Sequence, residues 1–168
     1  MFHTWASSAL PYLGTVSLLA VVYAALHDVA ARTVPNGLPL LLLILGIAAR
    51  SIEGHLVAAV EVAATVFAIA ALCWRCGWIG GGDVKLLGAT ALAVPPASVP
   101  TLILVMGTAG GVLSLFYLAA RRLVPAPSAI RPSSFIARAW RAEAWRIRRG
   151  GPLPYACAIA AGGIFVLL

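Results

Sequence analysis

The chain has 168 residues, of which 62% are hydrophobic and 10% are charged, and its formal net charge is +7 at pH 7. A soluble domain of this length needs more charged residues to cover its surface, so the composition excludes a soluble globular protein. We expect a single all-α integral membrane domain over residues 1–168, because helices satisfy their own backbone hydrogen bonds within lipid.

The apolar stretches predict six transmembrane helices, at about 7–27, 37–52, 56–74, 84–95, 97–120 and 153–168. The second, fourth and sixth of these stretches are short for a membrane span. The fourth is followed by Pro95, Pro96 and Pro100, which interrupt helices and predict a turn.

The basic residues predict the orientation of these spans. With the N-terminus outside, the loops at 28–36, 75–83 and 121–152 face the cytoplasm. Together with Lys85 they contain eleven of the twelve Lys and Arg residues, and only Arg50 lies on the other side. This asymmetry follows the positive-inside rule. Both termini are therefore expected outside, and Asp28 and Asp83 are expected at the same cytoplasmic face.

The basic loop at 121–152 contains a second kind of helical pattern. Ser134 is a favourable N-cap for a helix that starts at Phe135. Apolar residues recur on one face of that helix and most arginines lie elsewhere, the apolar set being Ile136, Trp140, Ala144 and Ile147. This pattern predicts an amphipathic helix on anionic lipid, with no nucleic acid as partner. The alternative is a solvated basic linker that anchors the topology.

Asp83 is an acid beside an apolar run, where a carboxylate is costly. It lies in Gly80-Gly81-Gly82-Asp83-Val84-Lys85 and opens the fourth helix. One interpretation is an N-cap that follows a flexible glycine linker. The other is a functional site, in which the glycines let the backbone of a peptide substrate approach the carboxylate closely.

Asp28 closes the first apolar run. Alone, it is explained by an ion pair with Arg32, four residues later. Asn36 is similarly explained as the N-cap of the second helix, and Lys85 as a partner of a lipid phosphate or of the two acids. Together, Asp28 and Asp83 suggest a catalytic pair, since two nearby carboxylates do not both ionise cheaply. One then serves as general base and the other as general acid.

Two further features have weaker functional interpretations. Glu61 lies inside the third span, where an acid is a functional candidate, and we expect a buried, protonated hydrogen-bond donor that packs helices together. The segment Cys73-Trp74-Arg75-Cys76 has C-x-x-C spacing. A structural zinc site takes four ligands and the sequence has no second pair, so we expect no metal and no cofactor.

These motifs resemble those of type IV prepilin peptidases, which are intramembrane aspartic peptidases of the Gly-x-Gly-Asp type. The resemblance extends from Asp28 to Gly162 and is based on three segments in order: Asp28 with Val34-Pro35-Asn36 six residues later, Gly-x-Gly-Asp-Val-Lys-Leu-Leu at 80–87, and the Pro154-Tyr155 segment that runs to Gly162.

The resemblance implies a function at the cytoplasmic face of the bacterial inner membrane. Members of this family remove the short basic leader from prepilins and related pseudopilins, typically after a glycine. Carried over residue by residue, the catalytic pair is Asp28 and Asp83, and the supporting or substrate-positioning residues are Gly80, Gly82, Lys85 and Asn36.

Larger members also methylate the new N-terminus, with an extra cytoplasmic region that contains two C-x-x-C pairs. Here only the nine residues 28–36 separate the first two spans, so we expect no N-methyltransferase activity. The short form resembles the peptidases of Flp-type, tight-adherence pili. The Arg-rich segment at 121–149 departs from the family pattern, and the resemblance implies no role for it.

Two other functions are compatible with the sequence. A transporter would use Asp28, Glu61 and Asp83 as a proton or cation relay, but such relays place acids near the bilayer midplane, and two of these three lie at helix ends. A non-catalytic scaffold of a secretion or pilus assembly would instead dock its partners through the Arg-rich helix.

Overall fold

The structure, a computed structural model, describes residues 2–123, 134–149 and 153–168. Within these residues the chain forms seven α-helices: α1 (Phe2–Ala31), α2 (Gly37–Ile52), α3 (Leu56–Arg75), α4 (Gly81–Ala93), α5 (Val99–Leu123), α6 (Phe135–Arg149) and α7 (Tyr155–Leu167). A short 3₁₀ turn at Pro96–Ser98 precedes α5. Part of the predicted basic loop, at 124–133 and 150–152, lies outside the described residues, as do the side chains of Ile136 and Trp140.

The predicted all-helical class is confirmed for the described part of the chain, and the helices start and end close to the predicted spans. In that part, three helical stretches are long and apolar enough to cross a membrane: Ser8–Ala31, Leu56–Arg75 and Pro96–Leu123. Helices α2 and α7 are shorter and apolar. The arrangement of six spans with both termini outside stays a prediction.

Helix α4 is at the centre of the helix packing. It packs against α2, α3 and α7, and every residue from Val84 to Ala93 except Lys85 is buried. Its 13 residues give a length of about 20 Å, against a bilayer core about 30 Å thick. A helix that is apolar on all sides and this short is stabilised by burial among other helices.

Glycines allow the helices around α4 to approach backbone to backbone. A Cβ atom on Gly46 of α2 would lie 2.9 Å from the carbonyl of Leu92 and from the amide nitrogen of Ala93. A Cβ atom on Gly162 of α7 would lie 2.6 Å from the carbonyl oxygen of Leu102 in α5. Small residues of this kind are enriched where membrane helices touch, and here they fix the spacing of α2 from α4 and of α7 from α5.

The end of α1 turns the chain toward α4. Arg32 follows the helix with φ of 57°, and its N–H donates to the carbonyl of Asp28 at 2.8 Å. Glycine is the usual residue in this left-handed position after a helix, so the backbone of an arginine here is strained. The turn carries Val34 against Gly82, where the two sequence motifs meet.

Helix α6 is packed against the protein through α5. Its predicted start is confirmed, since the N–H of Ala137 donates to the Ser134 hydroxyl at 3.2 Å. Ala144 and Ile147, two of the residues predicted on the apolar face, are buried. The segment is therefore a docked helix rather than a solvated linker, while its contact with anionic lipid stays a prediction.

The prediction that Glu61 is a buried hydrogen-bond donor is wrong. Its side chain is exposed on the outer surface of α3. The buried positions Ala59 and Ala63 flank it at two residues on either side, which on an α-helix is about 200° of rotation and so the opposite face. Glu61 therefore points away from α4.

Candidate active site

Asp28 and Asp83 line a single cleft of about 360 Å³. The cleft lies between the end of α1, the connection from α1 to α2, and the start of α4. All six residues predicted as catalytic or supporting line it, and its complete lining is Asp28, Arg32, Thr33, Val34, Asn36, Gly80, Gly81, Gly82, Asp83 and Lys85. The structure thus brings together two motifs that are about 50 positions apart in the chain.

Asp28 lies in the last turn of α1 and is 6% exposed. Its Oδ2 accepts a hydrogen bond of 3.3 Å from the N–H of Ala156. Ala156 is in the first turn of α7, directly after the Pro154-Tyr155 segment. The N–H groups at a helix N-terminus favour an anion, so the segment that closes the resemblance in the sequence provides a partner for Asp28.

Asp83 lies in the first turn of α4, three residues after the N-cap. The N-cap is Gly80, so the interpretation of Asp83 as the capping residue is wrong in position. The carboxylate instead reaches back and accepts a hydrogen bond from the backbone of Gly80, as the third residue of a capping box does. Burial and, as a smaller contribution, the nearby Asp28 carboxylate raise the pKa of Asp83 to about 6, and the hydrogen bond from Gly80 opposes part of that rise.

The three glycines before Asp83 are sites of close approach. A Cβ atom on Gly80 would lie 3.0 Å from Oδ2 of Asp83, and one on Gly82 would lie 3.4 Å from Cβ of Val34. A Cβ atom on Gly81 would lie 3.3 Å from the indole nitrogen of Trp74. These distances favour the interpretation that the three positions need glycine because a larger side chain has no space there. They disfavour the interpretation of a flexible linker.

Asn36 and Lys85 connect the two motifs at the edge of the cleft. Nζ of Lys85 donates to Oδ1 of Asn36 at 3.1 Å. Asn36 occupies the N-cap position of α2, as predicted, but its side chain makes no capping hydrogen bond there. Its amide oxygen accepts from α4 instead, so the side chain links the first turn of α2 to the first turn of α4.

Sequence reasoning missed a polar cluster behind the cleft. Arg32 belongs to the lining of the cleft, and its guanidinium pairs with Glu143 of α6 and donates to the Tyr117 hydroxyl of α5 at 3.1 Å. The Tyr117 hydroxyl also donates to Glu143. A signal was available in the sequence, because Glu143 is an acid within an otherwise arginine-rich segment.

A second cavity, which we call the apolar groove, continues from the cleft along α4. Its volume is about 450 Å³, and Asn36 and Lys85 belong to the linings of both cavities. The remaining lining comes from α2, α3 and α4 and consists of Pro39, Leu40, Leu43, Val60, Ala63, Ala64, Phe67, Gly88, Ala89 and Leu92. At Gly88 a Cβ atom would lie 2.9 Å from the Phe67 ring, so the absent side chain leaves space for that ring.

Comparison of the sequence with curated proteins gave no match, and comparison with solved structures gave none either. A protein-family model, that of the type IV leader peptidase family, matches residues 15–115. The match covers more than half of the chain and includes both aspartates and the four supporting residues of the cleft. The chain therefore belongs to the type IV leader peptidase family.

Proposed function

We propose that this protein is an intramembrane aspartic endopeptidase of the bacterial inner membrane. Its substrates are type IV prepilins or Flp-type pilin precursors, from which it removes the leader at the cytoplasmic face. Membership of the leader peptidase family supports peptidase activity. The observation that carries the aspartic mechanism is that Asp28 and Asp83, from separate helices, line one cleft.

The two aspartates have different roles in this proposal. Asp83 holds the proton in the resting site, since burial and the Asp28 carboxylate raise its pKa. Asp28 is also buried, which disfavours its charged form, but we assign it the ionised role because the N–H of Ala156 donates to it and the positive charge of Arg32 acts on it. Asp28 accepts a proton from water, whose oxygen attacks the scissile carbonyl, and Asp83 donates its proton to the leaving amine as the C–N bond breaks.

The glycine segment forms the wall against which the leader would lie. Residues 80–82 have no side chains, and a substrate backbone in extended form approaches such a wall closely. The same wall contains Gly80, whose backbone makes a hydrogen bond to the Asp83 carboxylate. Substrate backbone and catalytic acid are thus brought together by one short segment.

The apolar groove is the proposed place of the apolar helix that follows the leader in the substrate. It begins at Asn36 and Lys85, at the edge of the cleft, and ends at Leu92. Leu92 is seven positions after Lys85 in α4, which is about 10 Å, or two helical turns. The groove is therefore continuous with the cleft and accommodates the first turns of an apolar helix whose preceding peptide bond lies between the aspartates.

The experiment that tests this function compares cleavage of a candidate pilin precursor in detergent by wild type, Asp28→Asn and Asp83→Asn. We expect each variant to lose about 10²- to 10⁴-fold in kcat, the usual contribution of a general acid or base. Glu61→Gln is the matched control, since this exposed acid is outside the cleft. If wild type cleaves no precursor, or either Asn variant cleaves at the wild-type rate, the proposal is wrong.

The groove has a separate test. Ala64 lines the groove and Ala58 is an exposed alanine of α3 outside it. We expect Ala64→Trp to raise KM for the full precursor roughly fivefold with kcat retained, because it removes binding made equally in the ground and transition states. Ala58→Trp leaves KM unchanged. A soluble peptide of leader and cleavage site only is the second substrate, and an equal rise in its KM would exclude the groove as the site of the helix.

A further inference from the structure

Helix α6 reaches the cleft through one acid, Glu143. One oxygen of its carboxylate, Oε1, accepts from the Arg32 guanidinium and from the Tyr117 hydroxyl. The other, Oε2, lies 3.2 Å from Nη1 of Arg146, one turn further along α6. Glu143 therefore joins the end of α1, the last third of α5 and the middle of α6. It lies outside residues 15–115, to which the family match extends.

The same helix also contacts the turn that carries Asp28. Nη1 of Arg146 donates to the carbonyl oxygen of Val29 at 3.3 Å, and Nη2 donates to that of Ala30 at 3.5 Å. Carbonyls in the last turn of a helix have no partner within the helix, and a cation there is favourable. Helix α6 is thus docked on the last turn of α1 from two sides, through a salt bridge to Arg32 and through these carbonyls.

The Arg32–Glu143 pair is largely screened from solvent. The side chains of Arg32 and Glu143 are 11% and 16% exposed, so their charges interact more strongly than those of an exposed pair. The backbone of Arg32 is held in the left-handed region by the end of α1. With the backbone fixed, the direction of the long arginine side chain depends on its partners at the far end, among them Glu143 and Tyr117.

We propose that Glu143 is a positioning residue of the active site, which holds the Arg32 guanidinium near Asp28, in the cleft that Asp28 shares with Asp83. This inference rests on the proposed function of the two aspartates. A cation beside two carboxylates favours their ionised forms, and a carboxylate paired with that cation reduces its effect. Glu143 therefore sets both the place and the strength of the positive charge that acts on the pair.

Several charged or titratable groups share this environment. They come from five helices around Arg32 and comprise His27 and Asp28 of α1, Asp83 and Lys85 of α4, Tyr117 of α5, Glu143 and Arg146 of α6, and Cys157 of α7. Among them, Glu143 forms a salt bridge with Arg32 and does not belong to the lining of the cleft. Replacing it changes the charge around the aspartates without changing the lining of the cleft.

The first test measures the protonation of the two aspartates in the absence of substrate. Full-length protein in detergent is treated with a carbodiimide, which modifies protonated carboxyls, across a pH series, and the extent of modification at Asp28 and Asp83 is read by peptide mass spectrometry. In Glu143→Gln the amide oxygen still accepts from Arg32, so the guanidinium keeps its place, but its positive charge is no longer compensated. We expect modification to end at a pH lower by roughly one unit than in wild type, the lower end of the effect of a nearby charge.

The cleavage assay provides the second readout. We expect the alkaline limb of kcat to move to lower pH by the same amount in Glu143→Gln, with KM within twofold of wild type, and Glu143→Asp to restore much of the wild-type profile. Arg146→Gln is the matched control, since it weakens the docking of α6 but removes a positive charge. It is expected to move the limb upward or not at all.

The outcomes separate the possible explanations. An unchanged or upward-shifted modification profile in Glu143→Gln overturns the inference, and so does a shift of the same sign in Arg146→Gln, which would indicate loss of α6 docking alone. Carbodiimide modification needs no substrate. A wild type that fails to cleave therefore counts against the proposed function, whereas the modification profile still decides the role of Glu143.

Discussion

The two aspartates of the cleft are held in different ways. Asp83 depends on its own neighbourhood, since Gly80, three residues before it, provides both the hydrogen bond to its carboxylate and the space beside it. Asp28 depends on a distant part of the chain, since the N–H that donates to it belongs to Ala156, 128 positions later. One carboxylate is positioned by a local turn and the other by the packing of α7.

Because of this difference, the position of the Asp83 carboxylate can change without loss of stability, whereas the position of Asp28 and the stability of the protein change together. A change in the glycine segment displaces the Asp83 carboxylate while the helices around it stay packed. A change that moves α7 displaces the partner of Asp28 and also disturbs the packing of α7 with α1 and α5. The following predictions test that difference, from the largest expected effect to the smallest.

Gly80→Ala is expected to lower kcat at least about tenfold, because displacing a catalytic group by about 1 Å costs about 100-fold and the added Cβ requires a smaller shift of the Asp83 carboxylate. Its Cβ would lie 3.0 Å from Oδ2 of Asp83, so the carboxylate has to move. Gly37→Ala is the control, because a Cβ there has nothing within 4 Å. We expect the melting temperature of both variants to equal that of wild type, and a large fall in the melting temperature of Gly80→Ala would contradict a purely local effect.

The pH dependence of kcat tests the raised pKa of Asp83. Because that pKa is about 6, Asp83 keeps its proton below pH 6 and loses it as the pH rises through 6. The leaving amine then has no acid, and kcat is expected to fall about tenfold for each further pH unit. A profile measured from pH 4 to pH 9 whose alkaline limb begins near pH 4 would show that burial does not distinguish Asp83 from an ordinary carboxyl.

Gly162→Ala tests the dependence of Asp28 on α7. The added Cβ would lie 2.6 Å from the Leu102 carbonyl oxygen, so α7 has to move away from α5. Overpacking of this kind costs about 1–3 kcal/mol of the free energy of unfolding, and each kcal/mol lowers the melting temperature by about 2–4 °C in a chain of this size.

The same variant is expected to lose about tenfold in kcat, because the Ala156 N–H moves with α7 and misplaces Asp28. Gly107→Ala in α5, where a Cβ has nothing within 4 Å, keeps both the melting temperature and kcat. A Gly162→Ala protein that is destabilised but fully active would show that Asp28 does not depend on α7.

Lys85→Gln is expected to lower kcat by about twofold or less. The bond from Lys85 to Asn36 is exposed, and exposed polar pairs contribute little. Glutamine also keeps a donor for the Asn36 oxygen. A tenfold loss would indicate that the positive charge of Lys85 acts on the aspartate pair, and Lys85→Arg, which keeps that charge, would then restore activity.

The features that the sequence predicted well are those set by local chemistry. The helix at Phe135 followed from Ser134, and the six predicted site residues share one cleft because their motifs lie at the ends of helices that start and stop close to the predicted positions. The sequence did not predict the position of Asp83 within its helix. An acid at the third position of a helix and an acid at the N-cap both follow a glycine-rich segment and precede an apolar run, so the sequence pattern does not distinguish them.

The features that the sequence did not predict depend on which helices touch. The Ala156–Asp28 and Glu143–Arg32 contacts join parts of the chain more than 100 positions apart, and no local pattern encodes such pairings. Glu61 was wrongly expected to be buried for the same reason. Its place in an apolar run is evident, but the face that α3 presents to α4 is decided by the small residues Ala59 and Ala63.

The wall of the cleft formed by Gly80, Gly81 and Gly82 has a consequence for how substrates are distinguished. A wall without side chains presents only N–H and C=O groups, which are the same for every amino-acid sequence laid against it. If the protein cleaves leaders as proposed, discrimination between them has to come from the other residues of the lining, among them Arg32, Thr33 and Val34. Under the proposed function, exchanging Thr33 and Val34 between related peptidases is the direct test of precursor recognition, and Arg32 is kept because its charge is proposed to act on the aspartates.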